Sequence, residues 1–311
     1  MDKKLNDWLQ KTNPWTNVYG LSRTFLALAT LLTLLVNDSG TFFRITSDTN
    51  TYPNCVNAYG LFCLADFNDT QLAILQWIAV IILVVVASGW RPRITGILHT
   101  YIAFSFNQAA TTLDGGDQVI AVFTLILLPL TLTDKRKWHW ETPTDDYSPV
   151  SKIIGISSYY AFRFQVAILY FHSVTAKLME QEWRDGTAVW YYLQSPMLGF
   201  HEWLFELFRP LLSTSFIVVP TWGTLLVQIL LVMSLFMSKK YWKYVLIAAI
   251  VMHEIFAIFL GLISFSLAMI GVLIMYLRPI EETFQFKGVK KFISGLKVIK
   301  NNDVENTRRV S

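Results

Sequence analysis

Charge is scarce in this chain. Asp, Glu, Lys and Arg make up 15% of its 311 residues, where a soluble domain carries about 25%; a water-solvated globular fold is excluded. Cysteine is nearly absent. Cys55 and Cys63 are the two, with no C-x-x-C spacing to support a redox pair. The common catalytic signatures are missing as well: there is no H-E-x-x-H, Walker or G-x-S-x-G motif. His253-Glu254 has Ala257, not histidine, four residues after His253, so a zinc peptidase of that type fails on ligand count and no metal site is expected. No internal repeat and no low-complexity tract is present.

What the sequence does have is apolar bulk in blocks. Hydrophobic residues reach 53%, with 11 Trp, 13 Tyr and 22 Phe, and the mean hydropathy is +0.42. Blocks run over 19–36, 72–88, 94–113, 118–132, 154–177 and 216–237. The last, over 244–277, has 34 residues, too many for one crossing of about 20. Gly261 and Ser264 mark its hairpin tip. The expectation is an all-α, polytopic helical membrane bundle of about eight transmembrane helices, and no cleavage site follows the first block. We divide it into an N-terminal segment (1–18), a membrane domain (19–278) and a basic tail (279–311).

The basic residues orient it. With both termini inside, 20 of the 26 Lys and Arg fall on the inner side and Arg44, Lys177, Arg184 and Arg209 on the outer, so both termini are expected in the cytoplasm of a cell-membrane protein. The net charge of +4 then serves the bilayer and not nucleic acid. The tail spacing Val289, Phe292, Ile293, Leu296 suits a helix lying on anionic lipid.

Few residues are left to carry chemistry. Cys55 and Cys63 lie in the first outer loop, where oxidation persists, and are expected to form a staple. Asp114-Gly115-Gly116-Asp117-Gln118 makes a tight outer turn: Asp117 caps the next helix, or the two carboxylates meet a cationic substrate. The fifth span carries Arg163, Gln165, Tyr170, His172 and Lys177. An ionisable group within a span calls for a partner. Counted from the starts of their apolar blocks, Arg163 and Glu254 both sit roughly 13–15 Å deep. We expect them to pair, or to share a polar cavity with Gln165 and His253, as a structural ion pair or as catalytic groups. Lys177 lies roughly 21 Å beyond Arg163. It snorkels to water, is held by Glu180 as an ammonium, or acts as a general base. The stretch 180–210 interleaves Trp183, Trp190, Phe200, Trp203, Phe205 and Phe208 with Glu182, Glu202 and Glu206, which suits an outer amphipathic lid over an apolar or peptide ligand.

These residues form a pattern. Gly89-Trp90-Arg91-Pro92-Arg93, Thr95-Gly96-Ile97-Leu98-His99, Asp114-Gly115-Gly116-Asp117-Gln118, Leu128-Pro129-Leu130-Thr131-Leu132 and Glu182-Trp183 with Gly186-Thr187-Ala188 resemble the sporulation-delaying protein B family. So do Asn13-Pro14-Trp15, the two-cysteine loop, and His253 with Ser264-Phe265-Ser266-Leu267. The resemblance covers residues 13 to about 278. It implies the HTTM group, whose membrane domain is similar to that of vitamin K-dependent gamma-carboxylases. It also implies a role in producing a secreted peptide toxin, with a small soluble partner protein, from an exported peptide precursor. Carboxylases place a basic lysine shortly before Trp-x-x-Gly. Lys177 precedes Trp183 and Gly186 with a gap one residue longer, and no large extracytoplasmic domain follows, so carboxylation is not carried over.

The sequence therefore leads to a membrane protein that matures or exports a toxin peptide, binding it through Asp114, Asp117, Glu182 and Trp183. A quinone- or lipid-dependent enzyme using Lys177, Arg163, Glu254 and His253 is the alternative, and a toxin-binding immunity or sensing protein a third. No cofactor can be named from the sequence.

Overall fold

The computed structural model describes residues 9, 12–45, 52–55, 59–65, 68–143, 147–195, 199 and 202–284. Lys3, Lys4, Lys11, Phe200 and the surface helix expected around 289–296 lie outside them. The chain divides into a compact unit of residues 1–281 and a second of 282–311; the first is described below.

Its regular elements are helical among the described residues: α1 (Asn17–Val36), α2 (Asp69–Ser88), α3 (Pro92–Ala109), α4 (Gly115–Thr133), α5 (Pro149–Met179), α6 (Glu202–Leu212), α7 (Val218–Met233), α8 (Lys239–Leu260) and α9 (Ile263–Leu277). Short turns at Gln181–Arg184 and Ala188–Leu193 link α5 to α6. Five helices are long and apolar enough to cross a bilayer: α1, α2, α4, α8, and α7 with the turn that leads into it. The other long helices miss that standard for visible reasons. α3 carries Arg93, His99 and Asn107, α5 carries Lys152, Arg163 and Lys177, and α9 has only 15 residues.

Local signals set the helix ends. Asn68 accepts from the Gln71 amide to start α2, which stops at Gly89 in the left-handed region (φ 88°). Pro92 opens α3, and Ser148 with Pro149 opens α5. Gly261, at φ 71°, ends α8 and lets the chain reverse into α9 within two residues. The hairpin expected at Gly261 and Ser264 is therefore present.

The packing centres on α9. It is apolar all round and buried continuously from Gly271 to Leu277, as a helix must be when other helices surround it. It packs against α1, α8, α4 and α5. At Gly271 a side chain would collide with the Ser22 carbonyl and Phe25 of α1, so this glycine lets α1 and α9 touch. A second cluster joins α1, α2 and α3 through Phe42, Phe43, Phe62 and Phe106. Cys55 and Cys63 are bonded beside it.

Candidate functional site

A cavity of about 1060 Å³ lies between α4, α5, α7, α8 and α9, beneath the residues that follow α5. That is at the top of the range of about 300–1,000 Å³ for small-molecule sites. Val122, Phe123, Leu169, Val227, Phe256 and Phe265 give it apolar walls, and Trp183, Tyr192, Leu193 and Phe208 come from the segment after α5. Polar groups are few and converge. Tyr170, Ser173 and Lys177 recur at three- and four-residue spacing on one face of α5, and Thr224 and Gln228 do so on α7. The Lys177 ammonium donates to Ser173 Oγ at 2.7 Å, and Ser173 donates to Gln228 Oε1 at 3.2 Å. Lys177 also stands 5.2 Å from the centre of the Trp183 ring, a cation–π contact. Deeper in, the Tyr170 hydroxyl meets His253 Nε2 at 2.9 Å. His253 is buried and its Nδ1 has no partner among the described residues.

Of the residues singled out in the sequence, Lys177, His253, Trp183, Gln165, Tyr170 and Phe208 line one cavity, so Gln165 and His253 share it as expected. The candidate carboxylates stand elsewhere. Asp114 and Asp117 form a reciprocal capping box at the start of α4. Asp114 Oδ2 also accepts from Ser264 at 3.0 Å, tying the turn to the α8–α9 tip. The two carboxylates are engaged by each other's amides and by Ser264, and only Gly115 and Gln118 of this turn reach the cavity. Glu182 is exposed and outside it.

The expected pairing of Arg163 with Glu254 is absent, and neither residue lines the cavity. The Arg163 guanidinium lies 4.1 Å from the Trp242 ring centre, with Tyr276 and Tyr159 at 5.5 and 5.8 Å. Glu254 accepts from Ser266 Oγ at 2.8 Å. Equal counts from two apolar blocks do not mean equal depth. α5 is 31 residues long and overhangs the start of α8, so Arg163 meets Trp242, twelve residues and about 18 Å before Glu254. An aromatic cage therefore holds the cation where a carboxylate was expected. Sequence reading passed over Ser173 and Gln228, although a glutamine inside the 216–237 apolar run was a usable signal.

A second polar centre sits at the opposite end of the bundle, under the loop 134–148. Arg23, fully buried on α1, donates to Thr95 Oγ1 at 2.5 Å and approaches His139 Nδ1 at 3.5 Å. His139 Nε2 lies 3.3 Å from Thr24 Oγ1, which donates to the Ala87 carbonyl. Burial, then Arg23 and Arg136, hold His139 well below the ordinary histidine value. It is neutral, with Nδ1 accepting from Arg23 and Nε2–H donating to Thr24. Arg136 pairs twice with buried Asp134, at 2.9 and 2.7 Å, and also donates to the His139 carbonyl. This centre fastens the loop to α1 and α3.

The chain is 50% identical over 282 residues to the uncharacterized protein YitO of Bacillus subtilis (strain 168), covering 90% of this chain and 91% of that one. It is 34% identical over 281 residues to the sporulation-delaying protein SdpB of the same strain, covering 89% and 86%. No family model matches the chain, and no solved structure matches it.

Proposed function

The chain belongs to the family of the sporulation-delaying protein SdpB, and we propose that it is a multi-pass cell-membrane protein that helps to mature or export a secreted peptide toxin. In this reading it has eight spans of the HTTM kind and both termini in the cytoplasm. A small soluble partner delivers or completes the reaction, and the apolar part of an exported precursor occupies the cavity. The cavity itself carries the proposal: about 1060 Å³ of mainly apolar wall with a few converging polar groups suits a greasy peptide segment. The Cys55–Cys63 bond at the same end supports an outer location, because disulfides persist on the oxidising side.

The test is photo-crosslinking in cells that make the toxin. A benzophenone amino acid replaces Phe256 in the cavity wall, or Leu226, which is exposed on α7 and outside the cavity. A precursor-derived peptide attached at position 256 and only lipid at 226 is the expected result. Lipid alone at both positions overturns the reading.

One observation favours the enzymatic alternative. The Lys177 amine lines the cavity beside a neutral hydroxyl and an indole ring, where a bound substrate would meet it as the nearest candidate base. If Lys177→Ala and Lys177→Arg both leave mature toxin unchanged, base chemistry at this residue is eliminated.

A further inference from the structure

Two hydrogen-bond donors in this cavity are not used up by the fold. An ammonium group has three N–H bonds. At Lys177 one goes to Ser173, and the Trp183 ring flanks the charge. No carboxylate reaches it within ion-pair distance among the described residues. The acids that follow on the chain, Glu180 and Glu182, are exposed instead. A cation in an apolar cavity with neutral partners is an incomplete ion pair.

His253 presents the second donor. If its Nε2 carried the proton, the Tyr170 hydroxyl hydrogen and Nδ1 would both lack partners. If Tyr170 donates to Nε2, one group alone is left over, the Nδ1–H. The second arrangement leaves fewer orphans, and it leaves the buried N–H of a cavity-lining residue uncommitted. Tyr170, which holds His253, and Ser173, which holds Lys177, are three residues apart on α5, a rise of about 4.5 Å, so both donors belong to one stretch of the cavity.

We propose that the cavity reads an apolar peptide segment at two points, a carboxylate held by Lys177 and a neighbouring backbone carbonyl held by His253. The inference rests on the maturation role above and names the chemistry by which the substrate is chosen. Charge sets selection at one point and hydrogen bonding sets the register at the other.

The test uses the full-length protein purified in detergent and two dansyl-labelled Leu-Ala-Leu-Leu probes, one with a free C-terminal carboxylate and one amidated. Binding is read by energy transfer from tryptophan to dansyl. The acid is expected to bind at least ten-fold more tightly than the amide. Lys177→Gln should abolish that preference and Lys177→Arg should keep it. His253→Phe should weaken both probes alike and leave their ratio unchanged. Equal binding of acid and amide to the unaltered protein, or a preference that survives Lys177→Gln, overturns the inference. So does Lys177-dependent binding of dodecanoate when neither peptide binds, which would make this a lipid-acid site. The two readings fail separately. A precursor captured at position 256 with no acid preference removes the inference alone, whereas an acid preference with no captured precursor removes the maturation role.

Discussion

Gly223 shows how one side chain decides whether the cavity exists. It lines the cavity, and a methyl group built there would meet nothing within 4 Å. Gly223→Phe should fill the space without disturbing the helices. Its melting temperature in detergent is expected to stay within a few degrees of the unaltered protein, while mature peptide in the medium, counted by mass spectrometry, falls at least ten-fold. His139 makes a pH-dependent contribution at the other end. Its pKa is depressed in the folded state, so below about 6.5 the unfolded chain binds a proton that the native state refuses. Stability is therefore fully present above that value and falls with acidification, by up to about 1.4 kcal/mol per pH unit. Thermal melts at pH 7.5 and 5.5 should show the loss, and His139→Gln should remove His139's share of it. Residues of this kind were only partly legible beforehand. Lys177 and His253 stood out as polar groups in apolar runs. His139 lies in a polar loop, and its role is created by Arg23, 116 positions away in the chain.

Helix termini were the most legible elements, because their signals are local. The Asp114–Asp117 box starts α4, and Gly261 ends α8 by adopting a backbone that other residues resist. Asp114→Ala should lose the cap and the bond from Ser264 together, costing about 1–2 kcal/mol. Asp114→Asn should recover most of it, since an amide oxygen accepts equally from the Asp117 amide. Chemical or thermal unfolding in detergent separates the two variants. Depth was not legible. The apolar run that begins at Ile154 conceals five earlier helical residues, and the start of α5 is set by Ser148 and Pro149. How far a helix overhangs its neighbour is decided by packing, here by Arg163 settling among Trp242, Tyr276 and Tyr159. A charge swap between Arg163 and Glu254 is accordingly expected to rescue neither single variant, as melting temperatures would show.

At the scale of the molecule, the helical class followed from composition and blockwise hydropathy, whereas the cavity did not. It is bounded by residues as distant in sequence as Gly115 and Met269, and no local pattern encodes that meeting. The distribution of Lys and Arg predicts that the disulfide loop faces outward. A membrane-impermeant thiol reagent applied to intact cells after mild reduction should label Cys55 and Cys63, and labelling only after lysis would reverse the assignment of every site to the exterior.

The embrace between α1 and α9 at Gly271 has a consequence for biogenesis. The opening helix leaves the ribosome some 230 residues before its partner is made, so its seam must wait, unsealed, through most of translation. A premature stop anywhere ahead of Leu277 would strand that seam in the lipid, and such fragments should be cleared by membrane proteases instead of accumulating as shorter bundles.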